Sequence, residues 1–179
     1  MLADGEEENR RSALLEAGAY FRVARNLPSS HETKAGVARY QLILEILDQL
    51  GPIDHANVVS KVMETECSIS KNYGFRKVLS LTTKFMWLKA RSPVRIYDRQ
   101  ARLALGTRDG DYQEFNEAFS EFFTAHSRQV TDSCHALRNV VNYSVKPNMT
   151  TDALEMLTSE AWFQERVVDI YLWHKGAGR

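Results

Sequence analysis

Apolar residues recur along this chain at the three- and four-residue spacing of a helix face, and no window sustains the alternation of a half-buried strand. Ala13, Leu14, Ala17, Tyr20, Phe21 and Ala24 predict a first helix with Ser12 as its N-cap, ended by Leu27-Pro28-Ser29-Ser30. Val37, Tyr40, Leu44 and Leu47 share one face of a second, from about Glu32 to Leu50, and Gly51-Pro52 stops it. Val58, Val59, Val62 and Met63 mark a third, from Ile53 to about Cys67, followed by a loop over Ser68 to Gly74.

Helix is predicted again from about Phe75 to Ala90, with Leu79, Thr83, Met86 and Trp87 as its apolar stripe. Arg91-Ser92-Pro93 breaks it, and Val94 to Tyr97 reads as extended. Asp98 stands where an N-cap belongs and Gly106 where a C-cap belongs, around a short helix from Arg99 to Leu105. After a turn over Thr107 to Asp111, a long helical stretch runs from Tyr112 to Tyr143, broken near Ser127 to Thr131, and begins with Tyr112, Phe115, Phe119, Phe122 and Phe123. Lys146-Pro147-Asn148 is a loop; Thr151 starts a short helix, and Ser159 caps a last one carrying Trp162, Phe163, Val167, Ile170 and Trp173. The fold class expected is therefore all-α, a compact multi-helix domain.

The length of 179 residues suits one domain, or one core with two small lobes, and an apolar share of 44% supports a sizeable core. Residues 1–11 are acidic and polar and are expected to be a disordered tail; residues 12–179 are expected to form a single helical domain. No apolar run is long enough for a membrane span, and the N-terminus has no apolar signal region. Cys67 and Cys134 are far apart, which argues against a disulfide framework or zinc ribbon and for a reducing, cytoplasmic location.

Charge changes the picture. The net charge is zero, but Lys71 to Arg108 contains ten cations (Lys71, Arg76, Lys77, Lys84, Lys89, Arg91, Arg95, Arg99, Arg102 and Arg108) against the single acid Asp98. The segment after Asp109 is acidic. Such asymmetry predicts a positive face whose expected partner is nucleic acid, DNA first, with Lys77, Arg91, Arg95 and Arg99 on phosphates. Gly-rich phosphate loops, GxSxG and HExxH pairings are missing, and His126 and His135 fall on opposite sides of one helical region. No cofactor and no metal site is expected.

The densest constellation is Ser80-Leu-Thr-Thr83-Lys84-Phe-Met-Trp87, then Pro93, then Ile96-Tyr97-Asp98-Arg99, running on to Leu105. It resembles the helix-hairpin-helix DNA glycosylase superfamily, within it the prokaryotic proteins similar to 8-oxoguanine DNA glycosylase, over residues 80–105. The family pattern is a Thr-Lys segment opening a helix, a proline loop, and an aliphatic-X-Asp-Arg segment opening the next. The resemblance implies a base-excision glycosylase/lyase of DNA repair, with Lys84 as nucleophile and Asp98 as its acid/base and electrostatic partner. Chemically the pair is coherent. A carboxylate steadies the sugar cation, and an unprotonated amine attacks the anomeric carbon. Burial and neighbouring cations favour the unprotonated form. Trp87 and Tyr97 are candidates for stacking an extruded base.

Blander readings stand beside these. Asp98 is also a plain N-cap, Lys84 a solvated helix lysine, and Trp87 a core residue. Two alternatives to an enzyme follow: a non-catalytic nucleic-acid-binding module, or a protein-interaction component of a bacterial antiviral-defence or toxin system. The last would use the basic face, or the aromatic helix Tyr112 to Phe123, against a protein partner.

Overall fold

A computed structural model describes residues 6–23, 27, 39–144 and 148–178. Among them the chain is all-α: nine α-helices and one 3-10 helix, with no strand. The chain divides into two compact units, Met1–Tyr97 and Asp98–Arg179. The start of the expected second helix, Glu32 to Ala38 with Val37, the stop at Pro28 to Ser30 and the loop at Lys146-Pro147 lie outside the described residues.

The first unit contains α1 (Glu7–Tyr20), α2 (Gln41–Asp48), α3 (Val58–Asn72) and α4 (Leu79–Lys89). Helix α1 begins five residues before Ser12, so Glu7 and Glu8, expected in a disordered tail, form its first turn, where acids complement the helix dipole. Its polar edge meets α2 through an Arg10–Asp48 ion pair and a hydrogen bond from Gln41 Nε2 to Glu7 Oε1 at 2.8 Å. Inside, Tyr40 packs edge-on against Phe85 with centroids 5.3 Å apart. Gly18 makes room for that ring, since a Cβ there would lie 2.6 Å from the Tyr40 hydroxyl.

Helix α3 departs from the sequence expectation at both ends. It starts at Val58 because Asp54 Oδ1 accepts from the amides of Ala56 and Asn57, which fixes a turn where Ile53 was read as helical. It runs on to Asn72, through residues read as loop. There Ser68 Oγ donates to the Glu64 carbonyl and Asn72 Nδ2 to the Ser68 carbonyl, so polar side chains are satisfied within the helix. Its buried face is Val58, Val62, Thr65 and Ile69; Met63, expected inside, is exposed.

Helix α4 is buried through its middle: Leu79 and every residue from Leu81 to Met86 are buried, more than the expected stripe, while Ser80, Trp87, Leu88 and Lys89 are half-buried. Each fully buried Leu, Phe or Met side chain contributes roughly 1.5–3 kcal/mol relative to exposure.

The second unit opens with α5 (Arg99–Leu105). Asp98 accepts from the Gln100 amide at 3.0 Å, and Gly106 ends the helix at φ +74°, as the sequence indicated. Helix α6 (Tyr112–Ala125) is capped by Asp111, whose Oδ1 accepts from the Glu114 amide at 2.9 Å. Arg108 donates to Glu114 and Asp111, each at 2.8 Å, and its side-chain hydrogen bond holds the Glu114 carboxyl below the usual carboxylate range. The long helical stretch breaks at His126 into α7 (Ser127–Ala136) and a 3-10 turn (Leu137–Tyr143). Helix α8 (Thr151–Ser159) is capped by Thr150, and α9 (Ala161–Ala177) follows Glu160, so the cap expected of Ser159 sits one residue later without a side-chain bond.

Candidate functional site

Lys84 lies in the middle of α4, not at the opening of a helix, and is only 5% exposed. That overturns its reading as a solvated lysine. Its Nζ donates to Ser80 Oγ, one helical turn back, at 2.8 Å, and lies 5.8 Å from the Phe21 ring centroid. Ser80 sits at i−4, which places its hydroxyl on the same helix face as the amine. The serine's presence at that spacing is the sequence signal that could have found it.

Thr83 ties the two halves of the constellation together. Its Oγ1 donates back toward the Leu79 carbonyl at 3.2 Å and accepts from the Tyr97 amide at 3.0 Å. The extended run Val94–Tyr97 is therefore pinned beside α4 with Val94, Arg95, Ile96 and Tyr97 all buried. Asp98 comes directly after this run and begins the second unit, where it caps α5. Trp87 is half-buried, with the Arg91 guanidinium 5.9 Å from its ring centroid; Tyr97 is 5% exposed.

The basic segment does not emerge as one face. Lys84 and Arg95 are buried. Lys89 donates to the Leu47 carbonyl at the end of α2, and its pKa is lowered by burial against the opposing pull of Asp48. Arg102 donates to the Thr107 carbonyl at 2.7 Å and stands 3.6 Å from Asp109, while Arg108 serves the α6 cap. Of the ten cations of this segment, those that stay exposed without an ion pair among the described residues are Lys71, Arg76 and Lys77 in the first unit and Arg99 in the second. Of the four expected phosphate contacts, Lys77 and Arg99 are thus exposed, Arg91 is half-buried and Arg95 is interior.

Of the aromatic residues of α6, Tyr112, Phe115 and Phe119 are buried core, while Phe122 and Phe123 are half-buried. Sequence reasoning also missed Phe75. It was read as the first residue of a helix, but it stands 80% exposed in the turn before α4. Among the described residues no group of three or more His, Cys, Asp or Glu side chains is placed to hold a metal ion, and no helix is long and apolar enough to cross a membrane. His126 Nδ1 is 2.8 Å from the Phe122 carbonyl and its ring stacks on Phe122.

Compared with models of known families, with curated proteins and with solved structures, the chain matches none.

Proposed function

We propose that this chain is a nucleic-acid-directed protein, acting on DNA first, that resembles a base-excision glycosylase/lyase of the helix-hairpin-helix superfamily. The observation that carries the reading is Lys84: an amine only 5% exposed in the middle of α4, whose Nζ donates to Ser80 Oγ at 2.8 Å. Lysines are rarely buried, and a buried ionisable group is a candidate for chemistry. In the proposed reaction the Nζ lone pair bonds to the anomeric carbon, and the base departs with the glycosidic electron pair and takes up a proton. Opening of the sugar ring leaves a Schiff base. Asp98 is the proposed carboxylate that steadies the sugar cation. Trp87, half-buried beside Arg91, supports a stacking role better than Tyr97. A cytoplasmic location accords with two free cysteines, Cys67 exposed and Cys134 buried.

A second reading, a binding module without catalysis, is favoured by one observation. Thr83 and Asp98 each have a structural task, as acceptor for the Tyr97 amide and as helix cap. Borohydride trapping separates the two. Labelled single strands and duplexes containing 8-oxoguanine, uracil, an abasic site or no lesion are incubated with wild type, Lys84→Gln and Asp98→Asn. The enzyme reading expects an adduct that disappears in Lys84→Gln while binding persists. Asparagine caps helices as well as aspartate does. Lost turnover in Asp98→Asn at an unchanged melting temperature therefore assigns chemistry to the carboxylate. Intact binding with no adduct on any substrate, and no base release, would sink the enzyme and leave the binding module.

A further inference from the structure

The turn between α3 and α4 treats two aromatic residues in opposite ways. Tyr73 is 1% exposed and anchors the end of α3, while Phe75, two residues on, is 80% exposed. Gly74 and Phe75 are consecutive left-handed residues, at φ +79° and +58°. Glycine takes that conformation without strain, but a bulky aromatic does not. The turn is nevertheless held firmly. The Phe75 amide donates to the Ser70 carbonyl at 2.7 Å, the Tyr73 amide to the Ile69 carbonyl at 3.1 Å, and the Val78 amide to Glu66 Oε1 at 3.2 Å. A strained, well-anchored backbone that holds an apolar ring in water is the kind of outlier that marks a functional position.

The surroundings of the ring are cationic. Lys71, Arg76 and Lys77 are all exposed, and the single acid from Glu66 to Val78 is Glu66 itself, whose carboxylate accepts from the Val78 amide. Between Thr65 and Phe85 no other large apolar side chain is exposed. A protein-docking patch needs contiguous apolar area, and membrane insertion needs an apolar face; one ring among three charges supplies neither. Cations that neutralise phosphates around a ring that stacks on a base are the two components of a single-strand binding surface.

We propose that Phe75 is a stacking platform for an unpaired base of single-stranded nucleic acid, with Lys71, Arg76 and Lys77 on the flanking phosphates. The proposal rests on the nucleic-acid part of the reading above and not on the chemistry of Lys84. A duplex hides its base faces in the stack, so the single strand is preferred.

The test is fluorescence anisotropy with a labelled oligothymidine, a labelled duplex and anionic phosphatidylserine vesicles, across a salt series. Phe75→Asn removes the ring while suiting the left-handed backbone, so folding is kept; Phe75→Trp restores a stacking face. The expected result is single-strand binding weakened roughly tenfold or more in Phe75→Asn and recovered in Phe75→Trp. The double variant Arg76→Gln/Lys77→Gln should flatten the salt slope by about 0.7 per charge removed. Wild-type binding that Phe75→Asn leaves unchanged overturns this inference and spares the nucleic-acid reading. Wild type that binds neither oligonucleotide overturns both, and vesicle binding in their place, lost in Phe75→Asn, assigns the turn to membrane.

Discussion

Thr83 is fully buried, yet its hydroxyl is the acceptor for the Tyr97 amide. Valine is nearly its shape without the oxygen, so Thr83→Val leaves a buried N–H without that partner. The expected loss is about 1–3 kcal/mol, read from the midpoint of chemical denaturation, with Thr83→Ser retaining the bond and losing less. A Thr83→Val protein as stable as wild type would mean that Tyr97 finds another acceptor. The residues of this constellation could be picked out from the sequence by spacing, but their surroundings could not. By spacing alone Lys84 is any helix lysine; in the folded unit it is buried together with Phe85, Met86 and the Val94–Tyr97 run. Burial of one side chain is decided by what the rest of the unit lays over it.

At the scale of elements, local chemistry was the legible part. Asp98 and Gly106 bracket α5 as the sequence indicated, because caps act through their own neighbours. The face of α9 was not legible. Of the apolar residues that mark this helix in the sequence, Ile170 and Trp173 are 44% and 46% exposed. The buried positions are Glu165, Val168, Asp169, Leu172 and Gly176, with Asp169 paired to Arg166. At Gly176 the helix lies against the Gln100 carbonyl of α5, and a side chain has no room there. A Cβ at 176 would overlap that carbonyl. Gly176→Ala should therefore destabilise the protein by about 1–3 kcal/mol despite alanine's better helix propensity. Gly178→Ala, where a Cβ meets open space, should leave the melting temperature nearly unchanged. Equal melting temperatures for the two variants would show that α9 can slide off α5 at no cost.

For the whole molecule, the charge count of the sequence overstated the exposed positive surface. Ten cations in one segment suggested a single face, but folding distributes them among the interior, helix caps and ion pairs, and divides the segment between two units after Tyr97. Charge along a chain reports a face only when the chain lies flat on the surface, and this segment threads through α4. The boundary itself had no sequence signal, since Tyr97-Asp98 joins the units without a glycine or a polar linker. The burial of the middle of α4 also affects how the protein breathes. Leu81 to Met86 are buried without a break, so their amide protons reach solvent only when the first unit opens as a body. In native-state hydrogen exchange the amides of Thr82 to Met86 should be among the slowest of that unit. Their common opening free energy should equal its global stability, so exchange within the proposed catalytic helix would measure the cohesion of the unit that contains it.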